Sequence, residues 1–132
     1  MLTSVPIFLP PVLQLLLTGL TDGKGSVYIA VFDRKEAFLQ TDQARVKKIV
    51  PILQSGALEV LLPDLLPGTY AISCFHDLNG NGKLDKNFLG IPSEPYGFSN
   101  NARPKFRAPN WEEARFEWKG DTRQISIKLE KW

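Results

Sequence analysis

Along most of this chain apolar and polar side chains alternate in short runs, separated by clusters of turn-forming residues. The last run is the cleanest: between Gln124 and Leu129, the side chains Ile125, Ile127 and Leu129 alternate with Ser126, Lys128 and Glu130. A period of two sends successive side chains to opposite faces, so this pattern predicts a strand with one buried and one wet face. Ser26 to Phe32 is β-branched and aromatic, with Val27, Ile29 and Val31 on one face and Tyr28, Ala30 and Phe32 on the other. Tyr70 to His76 divides the same way, Tyr70, Ile72, Cys74 and His76 sharing one face. Val12 to Thr18 predicts the first strand, Ala57 to Leu62 another, and Ala114 to Trp118 another with Phe116 and Trp118 inward. Val46 to Leu53 contains Pro51, which has no amide proton to donate, and predicts an irregular edge strand.

The segments between these runs carry their own signals. Thr21-Asp22-Gly23-Lys24-Gly25 is a turn, and with its flanking runs it predicts a β-hairpin. Pro67-Gly68 predicts a type II turn, with proline setting φ and glycine accepting a positive value. Short helical turns are expected around Ala37-Phe38 and after Asn110, whose side chain is a good N-cap. Asp77 to Asn110 is long and rich in Gly, Pro and Asn, and packing by Phe88, Leu89, Ile91, Tyr96 and Phe98 is expected to hold it down. The count is about seven strands with no strand–helix alternation. The expected fold is therefore all-β, an antiparallel Greek-key sandwich over 12–132 preceded by an N-terminal extension, 1–11.

Composition narrows the function classes. A chain of 132 residues with 43% hydrophobic residues makes one domain with a real core. The formal charge is only +2, and the basic residues fall in two small groups (Arg45, Lys47, Lys48; Arg103, Lys105, Arg107), which argues against nucleic acid as a partner. Met1 to Leu20 is apolar but broken by Pro6, Pro10 and Pro11, and no Lys or Arg precedes it, so neither a signal peptide nor a membrane span is visible. Cys74 is the single cysteine. It can form no intrachain disulfide and reads as a buried thiol.

Three constellations carry chemistry. In Asp77-Leu78-Asn79-Gly80-Asn81-Gly82-Lys83-Leu84-Asp85, side-chain oxygens recur at the first, third, fifth and ninth positions. Gly82 stands at the sixth, where a calcium loop turns sharply, and the Lys83 carbonyl would be the seventh-position ligand. The candidate metal ligands are Asp77, Asn79, Asn81, Lys83 and Asp85, with Ca2+ as the candidate cofactor. Phe88 holds the twelfth position, so the bidentate glutamate of an EF-hand is missing and affinity should be weak unless Glu94 or another carboxylate joins. The alternative is a structural loop built from Asn and Gly turns. Glu94, Tyr96, Phe98, Asn100 and Asn101 form a second candidate group, able to line a shallow pocket for a peptide or glycan, or to pack under the loop. His76 is the only histidine. Its neighbour Asp77 points to the opposite face of a regular strand, so the two make no dyad.

Leu66-Pro67-Gly68-Thr69-Tyr70 resembles the start of a strand in transthyretin-like and carboxypeptidase regulatory-like sandwiches. The run from Phe75 to Asn101, FHDLNGNGKLDKNFLGIPSEPYGFSNN, resembles the signature of an uncharacterised bacterial family of small secreted or periplasmic domains. Leu17 to Asp33 and Trp111 to Trp118 resemble the same family, so the likeness runs from about Leu13 to Leu129. It implies a β-sandwich and a periplasmic or secreted location, and it implies no activity. The expectation is a non-enzymatic binding or accessory module for a protein, peptide or glycan. The rivals are a small hydrolase centred on His76 and a purely structural interaction domain.

Overall fold

Each alternating run forms a strand. In the computed structural model, which describes residues 12–132, these are β1 (Leu13–Leu20), β2 (Ser26–Phe32), β3 (Val46–Pro51), β4 (Gly56–Leu62), β5 (Gly68–Asp77), β6 (Tyr96–Phe98), β7 (Phe116–Trp118) and β8 (Arg123–Lys128). One short helix, α1 (Trp111–Ala114), and three 3-10 turns (Lys35–Ala37, Thr41–Gln43 and Ser99–Asn101) complete the elements. The chain is mostly β, with eight strands in two sheets among the described residues. The extension expected over 1–11 lies outside them.

One sheet has the order β4-β1-β8, with β1 antiparallel to β4 and parallel to β8. The other runs β3-β2-β5-β6, and β7 pairs with the beginning of β5. Leu13, Leu15 and Leu17 of β1 and Ile127 of β8 are buried in the same cluster as Val27, Ile29 and Val31 of β2 and Ile72 and Cys74 of β5. This geometry corrects the expected hairpin. β1 pairs with β4 and β8, β2 with β3 and β5, and the Thr21–Gly25 turn carries the chain from one sheet to the other. The reason lies in the side chains: both strands turn their fully apolar faces to one shared core, so they lie in different layers rather than edge to edge.

The outer face of β2 is covered as well. Ala30 and Phe32 are buried against Ala37, and Phe38 packs edge-on to both Phe32 (5.6 Å between centroids) and Trp111 (6.0 Å). Here the helical turn expected at Ala37-Phe38 has its function as a lid. The cap expected at Asn110 is a full capping box: Asn110 Oδ1 accepts from the Glu113 amide, and the Asn110 amide donates to Glu113 Oε1, both at 3.0 Å. β3 is an edge strand, as Pro51 predicts.

Two further expectations are corrected. Gly68 has no positive φ; it opens β5 in register with Trp118, so strand pairing overrides the type II turn. The Tyr70 hydroxyl donates back to the Leu66 carbonyl and closes this corner instead. Phe88 and Leu89 do not anchor the Asp77–Asn110 excursion, being 95% and 69% exposed. They sit at the tip of a small ladder in which the Ser93 amide donates to the Asp85 carbonyl and the Asn87 amide to the Ile91 carbonyl, each at 2.8 Å. The excursion is held by polar contacts at both ends and by β6 in its middle. No helix among the described residues is long and apolar enough to cross a membrane.

Candidate functional site

The end of β5 builds the first part of the site. Asp77 is the last residue of the strand and pairs with Ser26, which fixes its backbone. Its Oδ2 accepts from the Gly82 amide at 2.7 Å, across a loop whose sharp bends fall on Gly80 and Gly82, both with positive φ. Asn79 Oδ1 accepts from the Asn81 amide (3.2 Å) and Asn81 Oδ1 from the Lys83 amide (3.0 Å), two consecutive Asx turns. The amide nitrogens of Asn79 and Asn81 both donate to the Asp85 carboxylate, each at 2.6 Å. The five candidate ligand residues thus curl round one loop. Among the described residues no three His, Cys, Asp or Glu side chains stand close enough to hold a metal alone. A cation here would draw part of its shell from amide and carbonyl oxygens, as calcium does.

Glu94 belongs to this loop and not to the aromatic group with which its position in sequence associates it. Its side chain is buried, Oε2 accepting from the Leu78 amide (2.7 Å) and Oε1 from the Asp85 amide (2.9 Å). Asn100 spends its side-chain amide on the carbonyls of Glu113 (3.1 Å) and Arg115 (2.7 Å), with its own backbone at φ 62°. Asn101 Oδ1 accepts from the Lys128 amide at 2.9 Å. These two asparagines tie the end of the excursion to α1 and β8. Of the second candidate group, Asn101 lines a small pocket beside Arg103 and Lys128, while Tyr96 and Phe98 face a larger cavity.

That cavity is a trough of about 450 Å³. Ile91, Pro92, Tyr96, Phe98, Phe106 and Trp132 supply most of its apolar wall, with Lys86 and Arg107 at its margins. Tyr96 and Phe98 meet edge-on at 5.9 Å, and Phe106 lies against Trp132 at 5.6 Å. Phe106 is 84% exposed and has φ 64°, the left-handed region that disfavours a side chain of this kind. Arg107 makes a two-pronged pair with Glu113 (2.6 and 3.2 Å), which raises the guanidinium pKa and, with the Asn110 amide, lowers that of Glu113. Arg103 holds the trough floor: its guanidinium donates to the Tyr96 carbonyl (2.8 Å) and the Glu130 carbonyl (2.5 Å), and lies 4.0 Å from the Tyr96 ring centre.

Phe106, Trp132, Arg103 and the buried Ser99 are the site residues that strand patterns miss. Ser99 Oγ accepts from the Ile72 amide (2.9 Å) and donates to the Ala114 carbonyl (2.5 Å), joining β5 to α1 beside the excursion. The one sequence signal was Phe106 itself, a lone aromatic inside Arg103-Pro104-Lys105-Phe106-Arg107, where no strand pattern requires it.

His76 and Cys74 lie in the interior. His76 is fully buried with Nε2 2.6 Å from the Lys24 carbonyl, so Nε2 carries the proton, and Nδ1 has no partner among the described residues. His76 is thus bonded to the backbone of the Thr21–Gly25 turn. Burial pushes the Cys74 thiol pKa well up, as an inert core thiol requires.

These features define a two-sheet, mostly β domain with a polar-pinned excursion that forms an Asp/Asn loop on one side and an aromatic trough on the other. The chain belongs to the family described as an uncharacterized protein conserved in bacteria (DUF2141), which it matches over residues 16–126. No curated protein and no solved structure matches it. The expected kinship with an uncharacterised bacterial family is met to that extent.

Proposed function

We propose that this chain is a non-enzymatic binding module that works outside the cytoplasm, and that it grips an extended apolar segment of a peptide or protein in the trough. The observation that carries this reading is Phe106: a large ring left open to water, on a backbone conformation that costs energy, beside the Trp132, Tyr96 and Phe98 rings. Exposed apolar side chains gathered in one place, with Phe88 and Leu89 on the neighbouring tip, are the usual mark of a contact surface. A peptide suits the trough better than a glycan. Sugar recognition needs amides or carboxylates beside the rings; the Asn100, Asn101 and Glu94 side chains bond to backbone, and the charged groups at the margins, Lys86 and Arg107, are cations. An apolar segment flanked by carboxylates complements such a wall.

A transthyretin-like Greek-key sandwich is the architecture that fits this role. It is supported by the shared core between the sheets, the parallel pairing of the first and last strands, and the Tyr70 corner. The hydrolase reading has no feature in its favour, since His76 is sealed in the core.

The test is a heteronuclear NMR titration with two probes, a nine-residue peptide of alternating Leu and Phe with glutamates at its ends, and chitotetraose. The peptide is expected to shift Ile91, Phe106 and the Trp132 indole, and to lose that effect in Phe106→Ala. Shifts from chitotetraose alone would replace the peptide by a glycan. No shift in the trough with either probe refutes the contact surface.

A further inference from the structure

We propose that the Asp77–Asp85 loop and Glu94 together form a calcium site, in which Glu94 supplies the closing carboxylate that a twelve-residue calcium loop would carry where Phe88 stands. Asp77 is 1% exposed, and its Oδ1 is a buried oxygen with no hydrogen-bond donor among the described residues. The other oxygen of the same carboxylate receives the Gly82 amide from across the loop, so the group lies inside the turn. Glu94 is 4% exposed and is joined to both ends of the same loop through the Leu78 and Asp85 amides. Asp77 and Glu94 each accept backbone amides of this loop, and the Asp85 carboxylate accepts its two asparagine side chains, so a cation here needs the amide and carbonyl oxygens as well as the carboxylates. The ion pairs among the described residues are Lys35–Glu112, Arg107–Glu113 and Lys128–Glu130, and none of them reaches Asp77, Asp85 or Glu94. Buried carboxylates without a counter-charge are strongly disfavoured, and a divalent cation is the counter-charge that this donor set can bind.

The chemistry selects calcium. Every available ligand atom is a hard oxygen, from carboxylates, the Asn79 and Asn81 amides or the Lys83 carbonyl, and no thiol or imidazole joins them. The two asparagines now aim nitrogen at Asp85. Their oxygens accept the Asn81 and Lys83 amides, so turning those oxygens toward a cation opens both Asx turns, and cation binding requires a local rearrangement of the loop. The ladder that follows Asp85 turns Phe88 out to solvent, which removes the twelfth position from the site and leaves Glu94 to approach from the far strand of that ladder.

The experiment is a thermal melt of the chain in chelator, in 10 mM CaCl2 and in 10 mM MgCl2, with terbium luminescence as a direct probe. With few anionic ligands the affinity expected is about 0.1–1 mM. At 10 mM that corresponds to a Tm rise of roughly 4–10 °C by mass action. Glu94→Gln is expected to remove most of the rise. Asn79→Ala, an exposed side chain whose loss leaves the fold intact, should weaken binding about tenfold. Tyr28 stands beside the loop, its hydroxyl 3.6 Å from where a Cβ on Gly82 would lie. Tyr28→Phe should therefore dim the sensitised terbium emission and leave the calcium shift in place. A wild-type melt unmoved by calcium overturns the site, as does a magnesium shift equal to that of calcium. Undiminished calcium binding in both Glu94→Gln and Asn79→Ala, or terbium emission indifferent to Tyr28→Phe, overturns it too.

Discussion

Phe106 offers the sharpest quantitative check. A non-glycine residue in the left-handed region costs roughly 1–2 kcal/mol, because Cβ crowds the following carbonyl. Phe106 has φ 64°, and its ring gains little in return. At 84% exposure about one sixth of a side chain of roughly 200 Å² is sheltered, worth ~0.8 kcal/mol at about 25 cal/mol per Å². Two variants separate these contributions. Phe106→Ala loses the sheltered area but keeps Cβ and the strain, so it should be less stable by ~0.8 kcal/mol. Phe106→Gly loses the same area and the strain together; after the entropy that glycine adds to the unfolded chain, it should fall near wild type.

The order Gly at or above Ala, by about 1 kcal/mol, inverts the usual preference, in which glycine is the less stable by roughly 0.5–1 kcal/mol. Urea unfolding monitored by circular dichroism resolves this, provided the slopes agree so that midpoints compare directly. Glycine below alanine would show that Phe106 is not held in the left-handed region. Both variants falling more than about 2 kcal/mol below wild type would mean that the ring is core. Either result removes the argument that strain here is kept for contact with a partner.

Other predictions follow from the polar pins. Ser99→Ala leaves the Ile72 amide and the Ala114 carbonyl without their buried partner and should cost ~2–4 kcal/mol in urea unfolding. An alanine at Gly97 would put Cβ 2.5 Å from the Lys128 carbonyl oxygen and 2.8 Å from Ile127 Cγ2, so Gly97→Ala must push β6 off β8; the Tyr96 and Glu130 amides, which face each other across that bridge, should lose hydrogen-exchange protection first. Glu113 should titrate in carboxyl-detected NMR below the ordinary 4.5, because Arg107 and the Asn110 amide favour its charged form. The sign follows: a lowered folded-state pKa gives stability that is complete at neutral pH and disappears as acid protonates the group, so the Asn110 cap should loosen only below about pH 4.5.

The strands were legible because alternation is local. Val27, Ile29 and Val31, or Ile125 and Ile127, declare their buried face without reference to the rest of the chain. Layering was not. The Asp22–Gly25 turn has hairpin chemistry, and only the fact that β1 and β2 bury faces toward each other sends them to different sheets. The Asp77–Asp85 loop was legible from spacing, since its Asx turns are contacts between near neighbours. Glu94 stands next to the aromatic group in sequence, and which of the two groups it joins is decided by Leu78 and Asp85, which lie across the ladder. An asparagine that bonds carbonyls reads the same as one that faces a ligand, which is why Asn100 and Asn101 looked like recognition residues. Phe106 and Trp132 are remote in sequence and meet only through the fold.

The two halves of the excursion share one mechanical design. A segment this rich in Gly, Pro and Asn has no sheet of its own to make it rigid, yet a binding surface must be preorganised to avoid a large ordering cost. Here Glu94 ties the Asp77 loop to the base of the Asp85–Ser93 ladder, and two residues later Tyr96 joins the floor of the trough through the Arg103 clamp and the Glu130 bridge. Glu94 therefore sits between the oxygen-rich loop and the aromatic wall. A charge-neutralising ion on its carboxylate would stiffen the strand that carries Tyr96, while the trough rings need not touch the ion. Should the proposed ion bind, the Glu94 carboxylate would serve both tasks at this junction, accepting two backbone amides and offering the negative charge that a cation needs.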